Sequence, residues 1–395
     1  MTEPAAGTTT GRYLVLLEDD AVAAGARELV SRAGIRTWST ADVGVAPVAP
    51  PSDLDGVILH ELGVAVVSAD SNQVRELARA AGEPGPIALI EPERVVHAIE
   101  PTAQAVAEST QVDETTYTWG LQVIGATRSG ASGKGVRVAV LDTGLDLAHP
   151  DLIGRIVTSS SFIEGQEAQD GHGHGTHCVG TACGPRQVAG GPGYGVAYEA
   201  EIYAGKVLSN QGSGSDGGIL AGIAWAIANG CSVISMSLGA PAQVGQPYSR
   251  TFERAAERAI ERGTLIIAAA GNESSRSAGR TAPVGHPANC PSILAVGALD
   301  VKLAIADFSC GTEDVAGAVD LAGPGVDVYS SWPVPLGHRR ISGTSMATPH
   351  VAGVAALVAQ ATGARGYELW ARLAQTAKRL RLPSTDVGSG LVQAP

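Results

Sequence analysis

Beyond residue 135 the sequence carries a series of short runs dominated by apolar residues: VRVAVL (136–141), EIYAGKVL (201–208), CSVISMSL (231–238), TLIIAAAG (264–271) and SILAVGAL (292–299). Helical stretches lie between some of them, such as GGILAGIAWAIANG (217–230) and RTFERAAERAIERG (250–263). Strands this apolar on both sides, alternating with helices, imply an α/β fold with a parallel sheet covered on both faces. Sites in such sheets collect at the carboxyl ends of the strands. Aromatic residues make up only 4% while glycines number 51, so Ala, Val, Leu and Ile must build the core around many tight turns.

A different pattern precedes this one. RYLVLL (12–17) reads as a strand, AVAAGARELVSRAGI (21–35) as a helix closed by glycine, and DGVILHELGVAVVSA (55–69) as two strands around Gly63. SNQVRELARAAG (71–82) reads as a helix with Ser71 as N-cap, and PIALIEPERVVHAI (86–99) as a further extended segment. The order βαββαβ predicts a small, ferredoxin-like α+β sandwich over residues 1–105. The Pro- and Ala-rich stretch 37–54 is expected to be a loop, and residues 106–116 a linker to a large domain over 117–395.

A net charge of −12 disfavours nucleic acid as a partner, because phosphate binding needs a basic face. The five cysteines include no CxxC pair; Cys290 and Cys310 are one conceivable pair, but free buried thiols are expected. No stretch approaches a membrane span, and no membrane partner is expected. The start, MTEPAAGTTTGRYLVLLEDD, lacks a basic opening, and YLVLL is too short for the core of an export signal. A cytoplasmic protein is therefore expected, with export by a route not visible in the sequence as the alternative. A monomer is expected.

Four residues stand out chemically. Asp142 ends the strand VRVAVL, at a sheet's carboxyl edge. His174 sits in HGHGTHCVGT, where three histidines fall within six residues, so that a metal site and a catalytic base are both open readings. Ser345, in GTSMATPHVAG, precedes a small and apolar helix in which Pro349 is expected in the first turn. Free N–H groups at a helix N-terminus favour an oxyanion there, although a plain N-cap serine would also fit. Asn272 follows TLIIAAAG and could donate an amide hydrogen bond into a cleft or form a turn. Together they supply a general base, its orienter, a nucleophile and an oxyanion donor.

With these motifs in the order Asp, His, Ser, the chain resembles the subtilisin-like serine proteases, the subtilases, over about 116–395. The resemblance implies a serine endopeptidase that acts on peptides or proteins and requires no cofactor for its chemistry. It implies catalytic roles for Asp142, His174 and Ser345, with Asn272 in the oxyanion hole. His177 would be a packed structural histidine and His172 part of the entrance loop. Cys178 resembles the thiol under the catalytic histidine in the proteinase K branch. Ser237, Leu238 and Gly239 would line one edge of a substrate cleft, and Gly212, Ser213 and Gly214 the other. Gly285 would floor a deep P1 pocket suited to large apolar side chains, with Glu273 at its rim able to admit a basic one. Asp216 replaces an aromatic residue of the P4 wall. Asp151 matches a calcium ligand of many members, which leaves room for a structural Ca²⁺. The partner loop, CGPRQVAGGPGYGV, offers only Gln187 as an amide. The N-terminal unit would be a propeptide that inhibits the enzyme and is removed by it, the cut falling in the linker. The alternative is a non-catalytic peptide-binding module permanently capped by that unit.

Overall fold

The computed structural model describes residues 8–42, 53–99 and 112–395. Most of the expected linker, and with it most of the region assigned to the processing site, lies outside these residues.

The N-terminal unit contains strands β1 (Thr9–Leu17), β2 (Thr37–Ser39), β3 (Gly56–Leu59), β4 (Val64–Ser68) and β5 (Ile87–Ala98), with helices α1 (Val22–Ala33) and α2 (Ser71–Ala80). The sheet runs β2-β3-β4-β1-β5. The strand β2 falls in the stretch expected to be a loop; it is three residues long, too short for a period to show. The N-cap of α2 is Asp70, not Ser71. Its carboxylate accepts from the backbone of Asn72 and Gln73, and the Gln73 side chain returns a bond to the Asp70 N–H, a reciprocal capping box.

Alternation along β1 sends its side chains two ways. Val15 and Leu17 join Leu29 of α1 and Leu77 of α2 in a small core. Leu14 and Leu16 face the other way and join the core of the large domain, against helices described next.

The large domain opens with α3 (Trp119–Val123) and continues β6 (Arg137–Asp142), β7 (Val157–Ser161), α4 (His174–Cys183), β8 (Glu201–Lys206), β9 (Ser213–Ser215), α5 (Asp216–Ala228), β10 (Val233–Met236), β11 (Leu238–Gly239) and α6 (Arg250–Glu261). It ends with β12 (Leu265–Ala269), β13 (Leu294–Leu299), β14 (Leu321–Pro324), β15 (Val328–Ser331), β16 (His338–Ile341), α7 (Thr344–Thr362), α8 (Gly366–Thr376) and α9 (Ser384–Val387). Seven strands form one sheet in the order β14-β13-β12-β10-β6-β8-β7, with every pairing parallel. Val138 and Val140 of β6 pack on the face covered by α4 and α7, while Ala139 and Leu141 pack on the face covered by α5 and α6. Both faces being dry, the strands need no polar alternation. All five cysteines are free and buried. Among the described residues no helix is long and apolar enough to cross a membrane.

Pro349 lies inside α7, in its second turn rather than its first. A proline there leaves the carbonyl four residues earlier, that of Ser345, without its helical donor. The hydroxyl of Ser237 (2.8 Å) and the thiol of Cys178 (3.6 Å) donate to that carbonyl instead.

Candidate active site

Asp142 is the last residue of β6, at the carboxyl edge of the parallel sheet, and is buried. Its Oδ1 accepts from the Thr143 N–H (2.7 Å) and from Nδ1 of His174 (2.8 Å). His174 opens α4, and close packing brings it there. A Cβ on Gly175 would stand 2.3 Å from the Gly144 carbonyl oxygen. Gly173 has φ +107°, and a Cβ there would strike the Trp332 ring. The glycines of HGHGTH thus let the helix start directly against the sheet edge.

Asp170 holds that start in place. Its Oδ1 accepts from Thr143 Oγ1 and from the backbone of His172 and Gly173, and its Oδ2 from the backbone and hydroxyl of Thr176, all at 2.7–2.9 Å. Lys206 is buried nearby, donating to the Thr143 carbonyl and to Asn210. Burial lowers its pKa, and Asp170 and Asp142 partly restore it. Burial alone would lower the pKa of His174 too. The Asp142 carboxylate outweighs burial and holds that pKa well above the ordinary value of 6.5. The other imidazole nitrogen, Nε2, is buried with no hydrogen-bond partner among the described residues.

Ser345 is the second residue of α7 and is fully buried. Its hydroxyl donates to the carbonyl oxygen of Ile99 at 3.0 Å, with the Ser237 carbonyl oxygen at 3.4 Å. Asn272 stands opposite. Its Oδ1 accepts from the Thr344 N–H (3.0 Å) and hydroxyl (2.9 Å), which turns the amide nitrogen away from Thr344. That nitrogen lies beside Gly343, where a Cβ would approach it to 3.0 Å.

The residues expected at the two cleft edges lie on either side of one strand. The end of β5 pairs antiparallel with β11, matching Ala98 to Leu238 and His97 to Gly239. On its other side it pairs antiparallel with β9, matching Val95 to Ser215, Val96 to Gly214 and His97 to Ser213. The Ala98 N–H donates to the Gly212 carbonyl (2.8 Å) and the Ile99 N–H to that of Ser237 (3.3 Å). The structure therefore brings Gly212, Ser213, Gly214, Ser237, Leu238, Gly239 and Ser345 around residues 95–99. Gly285 donates its N–H to Ala270 and adjoins Ala240.

Other expectations change. Glu273 Oε2 accepts the Cys310 thiol at 3.1 Å. The three histidines do not converge on one point: His174 bonds Asp142, while Nε2 of His177 bonds the Val328 carbonyl at 3.0 Å. Burial depresses the His177 pKa to about 3, which keeps its ring neutral. Burial likewise raises the Cys178 pKa, so that residue remains a thiol and hydrogen-bond donor rather than a nucleophile. At Asp151, Oδ2 accepts from the Tyr194 hydroxyl (2.6 Å) and from Nε2 of His338 (2.7 Å), and the His149 imidazole is adjacent. Calcium takes oxygen ligands, so the two imidazoles beside Asp151 do not fit it.

Thr344, Asp170, Lys206 and Cys178 as a donor escaped the sequence reading. Each has a partner far away in sequence (Asn272 for Thr344, Thr143 for Asp170 and Lys206, Ser345 for Cys178), which leaves no periodicity to detect.

Residues 133–390 match the Subtilase family (Peptidase_S8). Subtilisin Savinase of Lederbergia lenta is 42% identical over 282 residues, covering 70% of this chain and 96% of that one. M-protease of Shouchella clausii (strain KSM-K16) is 39% identical over 308 residues, covering 75% and 74%. Alkaline protease of Alkalihalobacillus alcalophilus is 40% identical over 304 residues, covering 75% and 74%. These relatives do not bear on the likeness to proteinase K. They do overturn the expectation of a cytoplasmic protein, because the relatives are secreted extracellular proteases. That expectation rested on not recognising an export signal, and an unrecognised signal does not place a protein in a compartment.

Proposed function

The chain belongs to the subtilase family of serine endopeptidases, and from that premise we propose that it is a zymogen that cuts itself between Ile99 and Glu100. The observation that carries this reading is the contact between the Ser345 hydroxyl and the Ile99 carbonyl. The strand pairing around it is that of a bound substrate, an added strand between two cleft edges. The cut then falls at the front of the connecting segment, ahead of residues 106–116. Ile99 is itself apolar, in keeping with an apolar P1 preference.

In this mechanism His174 takes the proton of Ser345 through Nε2 as Oγ attacks the carbonyl carbon. Asp142 fixes the tautomer through Nδ1 and stabilises the imidazolium that forms. The amide of Asn272 and the Ser345 N–H take up the charge on the oxyanion; removing one such donor costs about 3–4 kcal/mol, a magnitude measured in subtilisin itself. His174 returns the proton to the leaving amine, and water then hydrolyses the acyl-enzyme by the same route. The released strand keeps its pairing with β9 and β11, so the N-terminal unit stays on as an inhibitor until it dissociates. Asp151 serves as a hydrogen-bonded anchor for Tyr194 and His338, not as a calcium ligand. A purely binding role fits poorly with relatives that are proteases.

The test is active-site labelling. A fluorophosphonate should label the matured wild type at Ser345, and casein hydrolysis should disappear in Ser345→Ala. Hydrolysis that survives this substitution contradicts the assignment.

A further inference from the structure

Asp216 is the first residue of α5, and its carboxylate is completely buried. One oxygen, Oδ1, accepts from Nε2 of His286 at 2.8 Å. The other, Oδ2, accepts from the backbone N–H of Arg94 at 3.1 Å and from its guanidinium Nη1 at 3.3 Å. His286 is held in turn by Phe252, whose ring meets it edge-on with centroids 4.7 Å apart. The Arg94 side chain keeps 23% of its surface exposed, while its guanidinium meets a carboxylate that is fully buried with the strand in place. The neighbouring guanidinium, that of Arg12, is committed to Glu93.

Arg94 belongs to the strand that occupies the cleft. Counting back from Ile99 it is the sixth residue before the bond to be cut. The antiparallel pairing of Val95 with Ser215 brings the preceding residue, Arg94, beside Asp216. When the N-terminal unit leaves, Oδ2 loses both of its donors together. Oδ1 keeps His286, and a substrate that restores the N–H and guanidinium donors to Oδ2 regains charge-assisted hydrogen bonds.

We propose that Asp216, buttressed by His286, forms a binding site for a basic side chain six residues before the scissile bond, so that the mature enzyme favours protein substrates carrying arginine or lysine there. The backbone N–H of that residue is captured by the same carboxylate oxygen, which extends strand pairing beyond the edge of β9. This inference rests on the reading of β5 as a substrate strand. Because the contact is remote from the reacting bond and present in ground and transition states alike, it acts mainly on KM.

The matured enzyme is assayed on three fluorogenic peptides that differ only at the sixth position: Arg, Ala and Glu. The expected order of kcat/KM is Arg above Ala above Glu, with Arg about tenfold over Ala. The Arg/Ala ratio should collapse towards one in Asp216→Asn and shrink in high salt. Equal rates for Arg and Ala in the wild type overturn the proposal without need of a variant, as does a ratio that survives Asp216→Asn. Failure of the underlying reading has a different signature, since none of the peptides would then be cut, or Ser345→Ala would cut them equally well.

Discussion

The two large sheets of this molecule are both buried on two faces, but by different means. The parallel sheet is covered on both sides by helices of its own domain, α4 and α7 on one face and α5 and α6 on the other. The N-terminal sheet has its own helices on one face only, and its second face, including Leu14, Leu16, Val64 and Val66, is closed by the large domain. Arg258 of α6 reaches across to the carbonyls of Leu17 and Leu62 and to Asp19. Glu91 of β5 accepts from Ser249, Arg250 and Thr251 at the start of α6, and Glu93 from Gly217 at the start of α5. One unit is complete by itself, and the other borrows half of its core. A unit that borrows its core is suited to dock tightly while attached and, on the proposed reading, to be given up after the cut.

The comparison can be sharpened first on the catalytic side. Asn272→Ala should lower kcat by about 100- to 1000-fold, since its amide N–H is the donor assigned to the oxyanion. Docking of the N-terminal unit, followed by hydrogen exchange, should not change. Comparable exchange loss in both units would break the separation drawn here.

A second effect distinguishes the two faces of the N-terminal sheet. Leu29→Ala, in that unit's own core, should destabilise it by about 2–5 kcal/mol. Arg258→Ala should leave the unit folded but loosen its grip, because two buried carbonyls lose their donor; docking should weaken by about 2 kcal/mol or more. Inhibition of the mature enzyme by the released unit reads the second effect, and thermal unfolding of the uncut Ser345→Ala chain the first. If Arg258→Ala unfolds the unit as Leu29→Ala does, its borrowed face is not separable from its fold.

The pH dependence follows from His174. The base must be neutral to take the proton, so activity appears as pH rises through its pKa. Asp142 holds that pKa above 6.5, so the acid limb of kcat/KM should lie above that value. Asp142→Asn should move the limb down while lowering the rate, and a limb already well below the ordinary histidine value in the wild type would contradict the pairing. The smallest expected effect is that of Glu91→Gln, which removes a carboxylate from the start of α6 and should weaken inhibition only a few-fold.

Much of the catalytic unit was legible because its chemistry constrains its surroundings. Asp142, His174 and Ser345 each sit where a strand end, a glycine-flanked helix start and a small-residue helix must meet, and those contexts are written in contiguous residues. Five of the seven parallel strands were visible as apolar runs. The two edge strands were not: β7 reads VTSSS and β14 reads LAGP, too polar or too short to stand out. The contact between Arg94 and Asp216 spans 122 residues and has no local signature. Nor did the sequence reveal that Asp151 faces a histidine and a tyrosine, because His338 comes from a strand 187 residues away.

The central claim is that the N-terminal unit ends as a substrate at Ile99. Intact mass and N-terminal sequencing of the purified wild type, beside Ser345→Ala and before and after incubation, test it most directly. The wild type should convert to a chain beginning at Glu100, and Ser345→Ala should remain uncut. A mature chain that begins within residues 106–116, or the same conversion in Ser345→Ala, would contradict it.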